Sequence, residues 1–249
     1  MILHEAALQF STFQQNMSRW SPCYMGLIVY TAITDNYDVL NDPAEEVCAG
    51  AEFVAFVENS VVSRRWETRP LEQNDNDPKR RSGFYKILSH RVLPNAEFTL
   101  WIDGSIDLIM PFPITNLMDY LRDADLAIFE HSSRCCVYQE ACEILRRHLD
   151  NPRTVYEQVM RYTRQGYPAN MGLGANTVIL RRHNKRIKAF NEAWWREIQN
   201  GSKRDQLSFN YVANKCGLKY NVFPNSVRRN SLFRQRPHIG SAVDFGEKT

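Results

Sequence analysis

The sequence contains no CxxC pair. Its six cysteines (Cys23, Cys48, Cys135, Cys136, Cys142 and Cys216) also fall short of the density of a secreted disulfide scaffold. A zinc site is therefore not expected, and free thiols in a reducing compartment are. Long apolar runs are missing too: the longest, around YMGLIVYTAI, is far shorter than the roughly 20 residues of a bilayer-spanning helix. The amino terminus, MILHEAALQF, has no basic stretch followed by an apolar core, so no signal peptide is expected. These absences lead to an expectation of a cytoplasmic protein without a transmembrane segment, one that can still act at a membrane surface. Charge of one sign is scarce. A net +3 is too weak to imply nucleic acid, no recognition motif accompanies it, and no nucleic-acid partner is expected. The gathering of Arg228, Arg229, Arg234 and Arg236 is either a solvated face or an anion-binding group. Internal repeats and low-complexity segments are absent.

What is present is an ordinary globular composition, 43% hydrophobic and 24% charged in 249 residues, enough for one large domain with a substantial core. Residues 1–22 read as an extension closed by Ser21-Pro22, and 23–249 as the domain. The runs GLIVYTAI (26–33), EFVAFVENS (52–60), FTLWI (98–102), DLAIFE (125–130) and ANTVILRR (175–182) read as strands. A polar loop is expected over 67–80. Helical periodicity covers 82–92, with Phe84, Ile87, Leu88 and Arg91 on one side. SSRCCVYQEACEILRRHL reads as a long capped helix, and RDQLSFNYVANKCG as one closed by glycine. In IKAFNEAWWREIQ, Ile187, Phe190, Trp194 and Ile198 form a core-facing stripe; of Trp194 and Trp195, at least one packs in the core rather than against a sugar. Alternating strands and helices predict an α/β sandwich with a mainly parallel central sheet flanked by helices.

Three of the strands run into polar clusters: TDNYD after the first, ENS after the second, DGS after FTLWI. That fits an open α/β sheet whose strand ends line one crevice, where such sheets bind ligands.

The ordered set YTAI…YD, K-x-x-x-H…P-N…W-x-D-G and R-D-Q resembles the GT-A-type glycosyltransferase-like family of plants, bacteria and large viruses (the TOD/MUCI type), over roughly residues 25 to 240. The resemblance implies a single GT-A-like nucleotide-binding domain. It implies a transferase that moves a sugar from a nucleotide-diphospho-sugar, UDP-sugar favoured, to a hydroxyl of a glycan or other acceptor. It also assigns residues. Thr31, Ala32, Asp35 and Tyr37 at the first strand end, with Glu58 at the second, would receive the nucleotide. Asp103-Gly104-Ser105 takes the D-x-D position, which reaches the ribose and a divalent metal, Mn²⁺ or Mg²⁺, on the diphosphate. Arg81, Lys86 and His90 add positive charge from the preceding helix, or else lie on a solvated surface.

His131, Arg134, Tyr138 and Glu140 would border the crevice as donor-sugar or acceptor contacts, with Tyr138 alternatively in the core. Asn170 and Gly172, in GYPANMGLGANT, are placed on an acceptor-facing loop or merely a loop before a strand. Arg204, Asp205 and Gln206 carry the family's R-D-Q. Asp205 is then a general base or a holder of sugar hydroxyls. The stretch S-K-R-D also fits a capping box, with Ser202 as N-cap and Asp205 at the third helical position.

The departure from the family pattern is Ser105, a neutral and poorer ligand where a second acid is usual. A metal would then rest on Asp103, Ser105 and His238, or on Asp103 with Asp107, which shares its face if the chain stays extended. His238 is otherwise a tail residue. Ser105 also leaves a second reading open: a catalytically inactive module that binds nucleotide-sugar or carbohydrate. A sugar-nucleotide pyrophosphorylase is disfavoured, because no Gly-rich phosphate-cradling loop stands near the start.

Overall fold

The computed structural model describes residues 26–59 and 61–238; the expected extension over 1–22, Cys23 and the tail beyond 238 lie outside the described residues. Seven strands form the central sheet: β1 (Leu27–Ile33), β2 (Ala51–Val57), β3 (Glu67–Pro70), β4 (Phe98–Ile102), β6 (Leu126–Glu130), β7 (Gly174–Arg182) and β8 (Asn221–Val222). Their order is β3-β2-β1-β4-β7-β6-β8. Every pairing is parallel except the two made by β7. Two short strands, β5 (Ile106–Leu108) and β9 (Phe233–Gln235), pair antiparallel apart from it.

Both faces of the sheet are buried, which is why its inner strands read as nearly unbroken apolar runs. Alternate residues of β1 divide between two cores: Leu27 and Val29 on one side, Tyr30 and Ala32 on the other. The Tyr30 side is covered by α1 (Pro78–Ile87), α3 (Val137–Arg146), α4 (Pro152–Arg164), α5 (Lys185–Asn200) and α6 (Gln206–Lys215), with a single turn α2 (Ser89–Val92) after α1. The other side is covered by the β5–β9 pair and a 3₁₀ segment, Ile114–Leu121. The expected α/β sandwich with a mainly parallel sheet is what the chain forms. Among the described residues no helix is long and apolar enough to cross a membrane.

Several local expectations need correction. The helix expected over 82–92 starts earlier, at Pro78, because Asp77 caps it by accepting from the Lys79 and Arg80 amides, with proline at the first helical position. It breaks at Leu88 before α2. The polar loop over 67–80 contains β3, an edge strand. Helix α3 is shorter than expected and Cys136 gives it no side-chain cap. The capping box does not form: Asp205 is itself the N-cap of α6, and the Ser202 hydroxyl donates to Asp150 instead (2.6 Å). Trp194 and Trp195 both pack in the core.

Candidate functional site

Parallel pairing of β2, β1 and β4 brings their carboxyl ends side by side, and β6 adds a fourth. Because β7 runs the other way, it contributes its start, Ala175 to Thr177, to the same rim. A cleft of about 700 Å³ opens there. Its walls include Ala32, Asp35 and Tyr37 from the end of β1, Lys86 from α1, Asp103 and Gly104 after β4, and His131, Arg134 and Glu140 around the start of α3. Arg204, Asp205 and Gln206 enter from the start of α6, and His238 from the far end of the described chain.

The centre of this cleft is ionic. Lys86 Nζ, only 5% exposed, lies 2.6 Å from Asp205 Oδ2 and 3.1 Å from Asp103 Oδ1. Trp101 Nε1 donates to the same Asp103 oxygen at 2.7 Å, and the Asp103 amide bonds the Thr177 carbonyl, so the acid is held from three directions. Burial works against the charge on Lys86, but the two carboxylates outweigh it and raise its pKa. Burial alone would raise Asp205 as well; Lys86 and Lys79 reverse this and bring its pKa down to about 2. Asp205 is thus firmly ionised and a weak proton acceptor.

A second ion pair, half-buried at its arginine, stands close by. Arg134 Nε donates to Glu140 Oε2 at 2.7 Å, with Glu140 2% exposed. Burial raises the Glu140 pKa against the opposing pull of Arg134. Both ring nitrogens of His131 face N–H groups, of Ser133 and Arg134. Burial first, then Arg134 and Arg228, lower its pKa to about 4, so the ring is neutral at pH 7.

Other expected residues support the cleft from behind. Arg81 bridges Asp35 (2.7 Å) and Glu58 (2.6 Å), and Glu58 also accepts the Asp35 amide. This brace holds the turn after β1, where Asp35 and Asn36 adopt positive φ. Thr31 is buried outside the cleft. Tyr138 donates to the Tyr167 carbonyl at 2.6 Å and is packed against the core. His90 turns to Glu192, at 2.9 Å, on α5. Asn170 and Gly172 do not line the cleft: Asn170 lies beside Cys135, and a side chain on Gly172 would point at Asn210 and Tyr220.

The residues expected to hold a metal do not fit one as a ligand set. Ser105 is 1% exposed and outside the cleft lining. Asp107 is turned to Arg234 (3.0 Å) and Arg236 (2.9 Å), which corrects its pairing with Asp103 and accounts for half of the arginine-rich tail. Among the described residues no three His, Cys, Asp or Glu side chains are grouped to hold an ion.

Sequence reasoning missed Asp38. Its Oδ1 lies 2.8 Å from His238 Nδ1, and the His238 ring packs against Tyr37 at a tilt of 34°, with centroids 4.4 Å apart. A Cβ on Gly104 would come within 3.0 Å of the Asp38 side chain, so glycine in the DGS turn is what lets this acid pack there. The polar run TDNYD carried that signal. Asn176 was also missed, although it lies within both GYPANMGLGANT and the expected strand ANTVILRR.

A cleft at the strand ends of a mainly parallel sheet is the ligand-binding architecture of open α/β domains. The chain belongs to a particular family of these: the TOD1/MUCI70 glycosyltransferase-like domain matches residues 58–238. It is 29% identical over 258 residues to the probable hexosyltransferase MUCI70 of Arabidopsis thaliana, covering 90% of this chain and 44% of that protein. It is 24% identical over 256 residues to the alkaline ceramidase TOD1 of the same plant, covering 86% and 54%. The chain thus spans about half the length of the curated relatives it matches. Among solved structures it is similar to a glycosyltransferase involved in glycosylation of the major capsid of PBCV-1 (TM-score 0.46, 14% identity, 80% of this chain and 81% of that one). Mouse xyloside xylosyltransferase 1 is similar at TM-score 0.44 and 12% identity, with 80% and 84% covered.

Proposed function

We propose that this chain transfers a sugar from a nucleotide-diphospho-sugar, UDP-sugar favoured, to a hydroxyl of a glycan or other acceptor. The observation that carries the reading is the buried Lys86 between Asp103 and Asp205 in the cleft at the strand ends. Asp103 has one oxygen engaged by Lys86 and Trp101, and the other is offered to the donor. Tyr37, 54% exposed and backed by His238, presents a flat face for a base. Lys79, Lys203, Arg204 and Arg228 line the same cleft, and a leaving nucleoside diphosphate needs such preorganised positive charge.

The proton of the acceptor hydroxyl needs a base. Asp205, held down at about 2, is poorly suited, and it acts instead by fixing Lys86 and binding hydroxyls. Glu140, which burial shifts upward, is the better proton acceptor of the two. The relative named an alkaline ceramidase supplies the second reading, amide hydrolysis on a lipid, but a cleft lined by this many charged groups suits a phosphorylated donor better.

The test is a thermal-shift panel of UDP, GDP, dTDP and CMP sugars, with and without Mn²⁺, on wild type and Asp103→Ala. A ligand at 100 times its Kd adds about 2.7 kcal/mol of stability. One donor class should raise the melting temperature of wild type and not of the variant. No response to any donor, metal present or absent, removes the donor site.

A further inference from the structure

Asn176 stands out among the cleft residues. It lines the cleft, is 1% exposed, and neither its Oδ1 nor its Nδ2 has a hydrogen-bond partner among the described residues. An unmet buried amide is costly in a folded protein, and a group kept at that cost calls for an explanation. Packing does not provide one, because the neighbouring sequence makes room for the amide. A Cβ on Gly174 would lie 2.7 Å from Asn176 Oδ1, so only glycine at 174 leaves the carboxamide its place. The next residue, Thr177, accepts the Asp103 amide through its carbonyl, which fixes Asn176 beside the acid at the cleft centre.

A carboxamide offers one acceptor and one donor face a short distance apart. A sugar hydroxyl, or two adjacent ones, offers the matching donor and acceptor. A phosphate supplies only acceptors and would satisfy half of the amide. The terminal torsion of asparagine is broad, so the group can turn toward a ligand without moving β7.

We propose that Asn176 is a specificity-determining residue, whose carboxamide both accepts from and donates to the hydroxyls of the sugar carried by the donor. The assignment rests on the donor reading above. It makes the cleft a reader of hydroxyl pattern, since a sugar lacking the contacted hydroxyl leaves the amide buried and unmet.

The experiment compares the affinities of UDP, UDP-glucose, UDP-galactose and the corresponding single-deoxy sugars for wild type, Asn176→Ala and Asn176→Asp, together with their melting temperatures. In wild type a UDP-hexose should bind more tightly than UDP, and removal of one particular hydroxyl should cost about tenfold or more. Asn176→Ala should bind UDP as wild type does, lose the increment from the hexose, and stop distinguishing that deoxy sugar. Asn176→Asp, which keeps the acceptor and loses the donor, should fall between them.

Asn176→Ala that discriminates the deoxy sugars as wild type does overturns the assignment. So does a variant that melts lower and loses UDP and UDP-hexose affinity equally, which marks a purely structural asparagine. Wild type that binds UDP-hexoses no better than UDP overturns it while leaving the nucleotide site in place. Wild type that binds none of these nucleotides removes the UDP-donor reading and this assignment together.

Discussion

Lys86 Nζ sits 2.6 Å from Asp205 Oδ2, tying the last turn of α1 to the N-cap of α6. Asp103 shares the same cation, so Lys86→Met leaves two acids facing one another without it. The expected loss is about 3–5 kcal/mol at pH 7, read from urea unfolding. The pH dependence has a definite sign. Asp205 has a pKa of about 2 in the folded protein against an ordinary 3.8, so its contribution is present above about pH 4 and is lost as the pH falls toward 2. The gap between wild type and variant should narrow over that range. A gap that stays constant from pH 7 to 2 would assign the loss to packing alone.

His131 should remain neutral throughout the physiological range. Its folded pKa, about 4, lies below the ordinary 6.5, so its contribution to stability is full above 6.5 and disappears as the pH drops through 4. Imidazole carbon-bound proton resonances followed by NMR should move only below pH 5. A transition centred near 6.5 would contradict the half-buried, donor-facing setting of the ring.

The two cleft carboxylates should separate in kinetics. Glu140→Gln is expected to lower kcat by at least about 10²-fold with little change in donor affinity, as for loss of a general base. Asp205→Asn should weaken donor binding as well, because it releases Lys86 and disturbs Asp103. Equal effects of the two substitutions on donor affinity would refute this division of roles.

Gly104→Ala tests the turn after β4. The added methyl meets Asp38 at 3.0 Å and Ile33 at 3.1 Å, and overpacking of this kind costs about 1–3 kcal/mol. Because Asp38 carries His238, nucleotide affinity should fall in the same variant. Retained affinity at a lowered melting temperature would place the Asp38–His238 pair outside the donor's reach.

Much of the fold was legible because inner strands carry their own signature. LIVYTAI and FTLWI are apolar on both faces and need no partner to be recognised. The starts of α1 and α4 were legible too and were passed over: Asp77-Pro78 and Asn151-Pro152 each place a capping side chain before a proline, which is a helix start as readily as a turn. Within the site, the acids at 35, 103 and 205 could be placed from their positions at strand and helix ends. Ser105 and Asp107 could not, because period-two alternation assumes an extended chain and the backbone turns at Asp103, where the Ile106 amide returns to its carbonyl. The pairing of Asp38 with His238, and of Asp107 with Arg234 and Arg236, joins residues 127 or more positions apart in the sequence. No local pattern encodes such contacts.

The β5–β9 pairing has a consequence for biosynthesis. Residues 233–238 hold the DGS turn from outside: Arg236 donates to the carbonyls of Gly104 and Val39, and His238 meets Asp38. On the ribosome the sheet strands from β1 to β7 emerge well before this strap does. A nascent chain stalled short of it has its acids and its lysine but an unsecured mouth. Closure of the cleft mouth would therefore follow the sheet strands in synthesis, and a truncation before residue 233 would preserve most of the sheet while removing that closure.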